Sequence, residues 1–174
     1  DGGNINFNVN CAKFMSTIKY CSSCATEMIL KPFENINRFF CINCDRMEFI
    51  DPKVVTGVLF TIKSKVLLIQ RNLEPERGKW TFPAGFVDRG EKVEDAAIRE
   101  VFEETGYIVE LDKLIGVYSQ KNDPIILIVY GGHVVGGEIT DNSEVQSIQT
   151  FSIDKLPVLA FERDQKIIDE WMEQ

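Results

Sequence analysis

The chain has 174 residues, 44% of them apolar and 10% aromatic, enough to bury one core of ordinary size and too apolar for a disordered chain. Nineteen Lys and Arg against 27 Asp and Glu leave a net charge of −8 at pH 7, the wrong sign for a protein that holds long nucleic acid by neutralising its backbone. No apolar run reaches the roughly 18 residues of a membrane-spanning helix, and the opening stretch DGGNINFNVNCAKF lacks the basic start and apolar middle of a secretory signal, so a soluble, cytoplasmic protein is expected.

In chain order, residues 1–19 read as a flexible extension, with Met15 opening the stretch MSTIKYCSSC and Cys11 left over as a solvent-exposed thiol. Residues 20–50 read as a separate small module. Cys21 and Cys24 form one C-x-x-C knuckle, and Cys41 and Cys44 form another after a gap of 16 residues. That spacing matches a site in which four thiolates hold one tetrahedral Zn²⁺, a structural metal because no position is left open for water. A pair of disulfides or four buried thiols are the alternatives. The module has few large apolar residues, so the metal itself is expected to supply its folding energy. Zinc ribbons also bind nucleic acid, but Lys31, Arg38 and Arg46 are outnumbered by Glu27, Glu34, Asp45 and Glu48, so no basic face is expected. The ribbon reads as a scaffold or dimer element.

Residues 51–174 read as the main domain. VVTGVLFTI and KVLLIQ have the apolar runs of strands, with a turn near Ser64 between them, and Pro83 and Gly85 in WTFPAGF favour a strand end and a sharp loop. A helix is predicted from about Val93 to Glu104, its buried face made by Val93, Ala96, Ala97, Ile98, Val101 and Phe102, with Thr105-Gly106 as its stop. LIGVYSQ, IILIVYGGHVV and IQTFSI read as further strands, and FERDQKIIDEWMEQ as a final amphipathic helix with Phe161, Ile167, Ile168 and Trp171 near one face. Strands around two well-separated helices give an α/β sandwich.

The first of these helices carries the chemistry. Glu100, Glu103 and Glu104 stand at i, i+3 and i+4, so they project from one side. At about 5.5 Å a like-charge pair costs roughly 3 kcal/mol at an effective dielectric of 20. A hard divalent cation removes that cost, and Mg²⁺ prefers carboxylate, water and substrate phosphate oxygens, so the array reads as a metal-dependent phosphate site. The adjoining Arg99 can hold a carboxylate bidentately. A solvated acidic helix face is the alternative.

The order of residues decides between them. Gly85, five residues, Glu91, seven residues, then REVFEETGY resembles the signature of the Nudix hydrolases, G-x5-E-x7-R-E-U-x-E-E-x-G-U with U usually aliphatic. Gly85, Glu91, Arg99, Glu100, Val101, Glu103, Glu104 and Gly106 fit, and Tyr107 departs by being aromatic. KVLLIQRNLEPERGKWTFPAGFVDRGE and FSIDKLPVLAF resemble the segments that flank the box in the family. The four-cysteine module followed by DPKVVTGVLF is similar to the zinc-ribbon Nudix subgroup, which includes NADH, ADP-ribose and FAD pyrophosphatases.

The resemblance implies a Nudix-type α/β/α sandwich with a mixed sheet, preceded by the zinc ribbon, in a homodimer. It implies that Glu100, Glu103 and Glu104, with the carbonyl of Ala84, hold Mg²⁺ or Mn²⁺, and that Arg99 and Glu91 orient these ligands. It implies attack of water on one phosphorus of a nucleoside diphosphate derivative, releasing a nucleotide monophosphate and a second phosphate ester. The base comes from the box helix, where Glu100 and Glu103 are candidates, or from a later loop, where Glu144 is. The tryptophan and phenylalanine of the family's NADH motif are missing from YSQKNDPIILIVY, so an ADP-linked diphosphate such as ADP-ribose is favoured, with FAD and NADH as alternatives. A different reading makes the chain a Nudix-fold ligand sensor or an RNA-binding or decapping protein that uses the ribbon as its interaction module. Trp80, Phe82 and Tyr118 read as core residues or as partners for a base, and His133 as structural. No substrate-contacting residue is assigned.

Overall fold

The computed structural model describes residues 19–140 and 143–173. Most of the predicted extension, including Cys11 and Met15, therefore lies outside the described residues, as do Asp141 and Asn142. The chain divides into two compact units, the first ending at Pro52 and the second beginning at Lys53.

The first unit is a three-stranded antiparallel sheet of β1 (Ile29–Phe33), β2 (Ile36–Cys41) and β3 (Arg46–Met47), in that order. Glu34 and Asn35, at φ 50° and 74°, supply the left-handed pair that a two-residue hairpin of matching twist requires. Because residues alternate across a strand, Met28, Phe39 and Cys41 pack on the cysteine side, where Cys21 and Cys41 are buried. Lys31 and Arg38 face each other across β1 and β2 on the opposite side. There Lys31 stands 4.1 Å from the Phe40 ring centroid and Arg38 stands 4.7 Å from that of Phe49. The acids outnumber the cations, but Arg46 is taken by Glu48 and the other two cations share one aromatic face.

In the second unit, β4 (Lys53–Leu59) lies between an antiparallel β8 (Ala84–Phe86) and a parallel β10 (Ile125–Gly137), with β9 (Tyr107–Ser119) at the edge. A second sheet has the order β11 (Val145–Phe151), β6 (Lys65–Arg71), β5 (Thr61–Ile62), with β7 (Trp80–Thr81) also on β6. The predicted turn between the first two apolar runs is made by Lys63 and Ser64, both at positive φ. Strands β4 and β6 are buried on both faces, which is why their sequences are continuous apolar runs rather than alternating ones. Val58, Phe60, Leu67 and Ile69 pack with Ala97 and Val101 of α1 (Val93–Thr105). Leu59, Leu68, Phe82 and Val129 pack with Ile167 and Ile168 of α2 (Glu162–Met172). The result is a mixed-sheet α/β arrangement with one helix against each core. Burying a side chain such as Phe60 or Ile167 in this way contributes about 1.5–3 kcal/mol.

Helix α1 begins after an extended Lys92, with Glu94 and Asp95 placed to complement the helix dipole. It ends at Gly106, whose φ of 79° lets its N–H reach the Phe102 carbonyl. A side chain there would also meet the Glu138 carbonyl at 2.2 Å. The buried stripe runs Ala97, Val101, Thr105, four residues apart, with Ala96 and Glu104 beside it. Phe102, expected on that face, is 53% exposed, because one further step of about 100° carries it off the stripe. No helix among the described residues is long and apolar enough to cross a membrane.

Candidate active site

Arg99 is the hub of the α1 carboxylates. Its Nε donates to Glu91 Oε1 at 2.8 Å and its Nη2 to Glu91 Oε2 at 2.9 Å, a bidentate fork. Nη1 donates to Glu100 Oε1 at 2.7 Å and Glu103 Oε2 at 2.8 Å, and Nη2 also reaches the Phe86 carbonyl at 3.0 Å. Those five bonds use every N–H of the guanidinium. Glu91 accepts the Asp88 N–H as well, at 3.0 Å, and the Arg99 charge with that bond holds its carboxyl down to about 2. Glu91 is thus a permanently ionised anchor on the loop before the helix.

Glu104 is held differently. It is 9% exposed and accepts the Ala84 N–H at 2.9 Å, which ties the helix to the start of β8. Burial pushes its carboxyl up to about 8, with Glu100 and Glu144 adding in the same direction. Burial also raises Glu100, against the pull of Arg99. Glu100 lies on the backbone of Gly85: a Cβ built on Gly85 would sit 2.1 Å from the Glu100 carboxyl carbon. The glycine of the signature is therefore a space requirement.

Glu144 comes from the loop before β11. Its carbonyl accepts the Asn72 N–H at 2.9 Å, which ties that loop to the end of β6, and its charge raises both Glu100 and Glu104. The structure thus brings Glu91, Arg99, Glu100, Glu103, Glu104, Glu144 and Ala84 into one neighbourhood. Arg99 holds Glu100 and Glu103, and the Ala84 N–H holds Glu104. The donor set is all oxygen, with four glutamates in contact with one Arg or one N–H, and it fits a hard divalent cation.

Two charged residues near the cluster carry no motif. Arg71, at the end of β6, lowers the proton affinity of Glu104. Asp164 is fully buried in the first turn of α2, where its Oδ2 accepts the Thr81 hydroxyl at 2.9 Å, and burial pushes it up to about 6. In sequence it is one more acid in a charged stretch.

Phe82 is buried in the α2-side core, Trp80 meets Phe151 edge-on at 4.8 Å, and the Tyr118 hydroxyl donates to Glu170 at 2.7 Å. All three belong to the packing of that core. His133 is exposed and 2.7 Å from Asp112 on the edge strand.

In the ribbon, Cys24 and Cys41 sulfurs are 3.5 Å apart and those of Cys21 and Cys44 are 3.9 Å apart. A tetrahedron of sulfurs at about 2.3 Å from zinc has edges near 3.8 Å. Hydrogen bonding by Thr26 holds the Cys24 thiol down, and the same Cys24 pushes Cys44 up. These residues fit one Zn²⁺.

A glutamate-rich helix braced by one arginine, set against a mixed sheet between two apolar cores, is an arrangement suited to a divalent cation and the phosphates it binds. The chain matches the family model of the NUDIX domain over residues 51–172, and it belongs to the Nudix family as a Nudix hydrolase, a pyrophosphatase of nucleoside diphosphate derivatives. An ADP-ribose pyrophosphatase of Methanocaldococcus jannaschii is 38% identical over 128 residues, 71% of this chain and 75% of that protein. The NAD-capped RNA hydrolase NudC of Pseudomonas aeruginosa is 31% identical over 148 residues, which are 83% of this chain but only 51% of NudC. The crystal structure of a NUDIX hydrolase from Nitrosomonas europaea is similar with a TM-score of 0.84 at 31% identity, covering 90% of this chain and 91% of that one.

Proposed function

We propose that the chain hydrolyses the diphosphate of an ADP-linked compound, ADP-ribose before FAD or NADH, to AMP and a second phosphate ester. The observation that carries this reading is the excess of carboxylates over the single guanidinium that braces them, with Glu104 buried against the Ala84 N–H. The relative at 38% identity, an ADP-ribose pyrophosphatase, supports the substrate class. Glu100, Glu103, Glu104 and the Ala84 carbonyl are the residues to hold Mg²⁺ or Mn²⁺. When bound, the cation neutralises the diphosphate and polarises a water.

The chain's own residues do the rest. Arg99, anchored by Glu91, keeps Glu100 and Glu103 turned toward one side of α1. A carboxylate takes the proton of the attacking water. Glu100 and Glu103 on the helix and Glu144 on the loop are the candidates, and replacing the true base by Gln costs roughly 10²–10⁴ in rate. In the ribbon, Cys21, Cys24, Cys41 and Cys44 hold a structural Zn²⁺, and the working protein is a homodimer.

The test is release of monophosphate from ADP-ribose, FAD, NADH, NAD, ADP-glucose and diadenosine polyphosphates with Mg²⁺ or Mn²⁺, and with Glu103→Gln as control. Cleavage of ADP-ribose with kcat/KM above roughly 10⁴ M⁻¹s⁻¹ and a dead control are expected. A chain that binds these compounds and cleaves none is a sensor, and the proposal fails.

A further inference from the structure

Thr56 is a polar residue in surroundings that suit an apolar one. It is fully buried, and its Oγ1 has no hydrogen-bond partner among the described residues. A buried hydroxyl without a partner is costly, and an apolar side chain of nearly the same shape avoids that cost. Valine has such a shape, and Val54, Val55 and Val58 are the neighbours of Thr56 in β4. The packing of the strand therefore gives no reason for a hydroxyl at position 56.

The strand register gives one. Val58 packs into the α1-side core, while a Cβ on Gly57 would strike the Phe82 ring on the opposite side, so Thr56 points with Val58 toward α1. On that side its cross-strand neighbours are Ile128 of β10 and Gly85 of β8. Ile128 offers nothing polar. Gly85 has no side chain, and the space its Cβ would fill holds the Glu100 carboxylate, with Oε2 2.1 Å from that point. Directly opposed Cβ positions lie about 4.5–5.5 Å apart, so the Thr56 Cβ is at most about 7.6 Å from Glu100 Oε2. Two polar atoms joined by one water stand about 5.5 Å apart, a span that a hydroxyl on that Cβ can meet.

Glu100 has an oxygen to offer. Its Oε1 is held by Arg99 at 2.7 Å, whereas Oε2 accepts no hydrogen bond among the described residues. Arg99 is shared among Glu91, Glu100 and Glu103, so it fixes one oxygen of Glu100 and lets the carboxylate turn about that bond. A donor in the sheet beneath Gly85 fixes the other.

We propose that Thr56 is a positioning residue for Glu100, its hydroxyl donating through one ordered water to Oε2, so that Arg99 and Thr56 together set the plane of the carboxylate. A carboxylate braced on both oxygens presents its remaining lone pairs to a cation in one direction. This assignment deepens the reading given under Proposed function and rests on it, since Glu100 is there a ligand for Mg²⁺ or Mn²⁺.

Thr56→Val and Thr56→Ser in the full chain test this, beginning with the melting temperature without added Mg²⁺. Valine in place of an unpartnered hydroxyl raises the melting temperature, whereas loss of a hydroxyl that donates to a bound water lowers it by about 3–6 °C. The fall is expected. In ADP-ribose hydrolysis, Thr56→Val should raise the half-saturating Mg²⁺ about 10-fold. Thr56→Ser keeps the donor and should return the Mg²⁺ dependence to within about threefold of wild type. A melting temperature that does not fall in Thr56→Val overturns the proposal, because the hydroxyl then donates to nothing. So does a fall with unchanged Mg²⁺ dependence, which puts its acceptor elsewhere, or a Ser variant as impaired as the Val variant, which makes the effect one of shape. If wild type cleaves no ADP-linked compound, the proposed function fails instead. Calorimetric titration of wild type and Thr56→Val with Mn²⁺ alone then decides, and equal affinities overturn the role of Thr56.

Discussion

Gly85→Ala separates the chemistry of this site from its stability. The added Cβ would lie 2.1 Å from the Glu100 carboxyl carbon, and ordinary contact begins at 3.4 Å, so the carboxylate must retreat by about 1.3 Å. Glu100 is held at 2.7 Å by Arg99, so the retreat lengthens that bond and moves the carboxylate from the position proposed for it beside the cation. A misplacement of about 1 Å costs on the order of 10²-fold in rate. The fold loses little, because the obstructed atoms are the end of a flexible side chain and Gly85 needs no positive φ. The lost entropy of the unfolded chain contributes about 0.4–1 kcal/mol in favour of Ala. Steady-state ADP-ribose hydrolysis should fall about 100-fold in kcat/KM, with a higher half-saturating Mg²⁺ and a melting temperature close to wild type. A variant within about threefold of wild-type kcat/KM at ordinary Mg²⁺ would refute the claim that this glycine exists to seat Glu100.

Glu91→Gln removes the fork that anchors Arg99, and kcat/KM is expected to fall about 10- to 100-fold with the fold intact; unchanged kinetics would show that Arg99 needs no anchor. Asp164 has its carboxyl raised by burial from 3.8 to about 6, so the native state binds the proton more tightly than the unfolded chain does. Its contribution to stability is therefore greatest below pH 4 and falls as pH rises through 6, by about 3 kcal/mol in all. Asp164→Asn should flatten that part of the melting-temperature profile and stabilise the protein at pH 8, and a profile that keeps its slope would contradict this origin. Protein purified without chelator should carry about one zinc per chain, lost in Cys24→Ser together with the protease resistance of the segment around the four cysteines. Metal content far below that, in protein that keeps its resistance, would sink the ribbon reading.

Sequence reasoning reached the parts of this molecule that are governed by spacing along one element. The three helix glutamates share a flank because of a 3.6-residue period, and the C-x-x-C knuckles bring pairs of sulfurs together whatever the rest of the chain does. It failed where the answer depended on which element lies opposite. Phe102 was expected inside because it is apolar and next to Val101, yet the stripe at four-residue intervals passes it by and buries Thr105 instead. Counting charges over residues 20–50 hid the fact that Lys31 and Arg38 are register partners on one face, since a sum has no direction. Arg71 is the sharpest case. In sequence it is the polar residue that ends an apolar run, and its surroundings come from Val145 opposite it, from the Asn72–Glu144 bond beside it and from a ring that arrives ninety residues later at Phe161. The site is assembled from one element that announces itself and several that do not: the helix is legible in the sequence because its spacing is local, while the strands and loops around it acquire their meaning only from what lies opposite them.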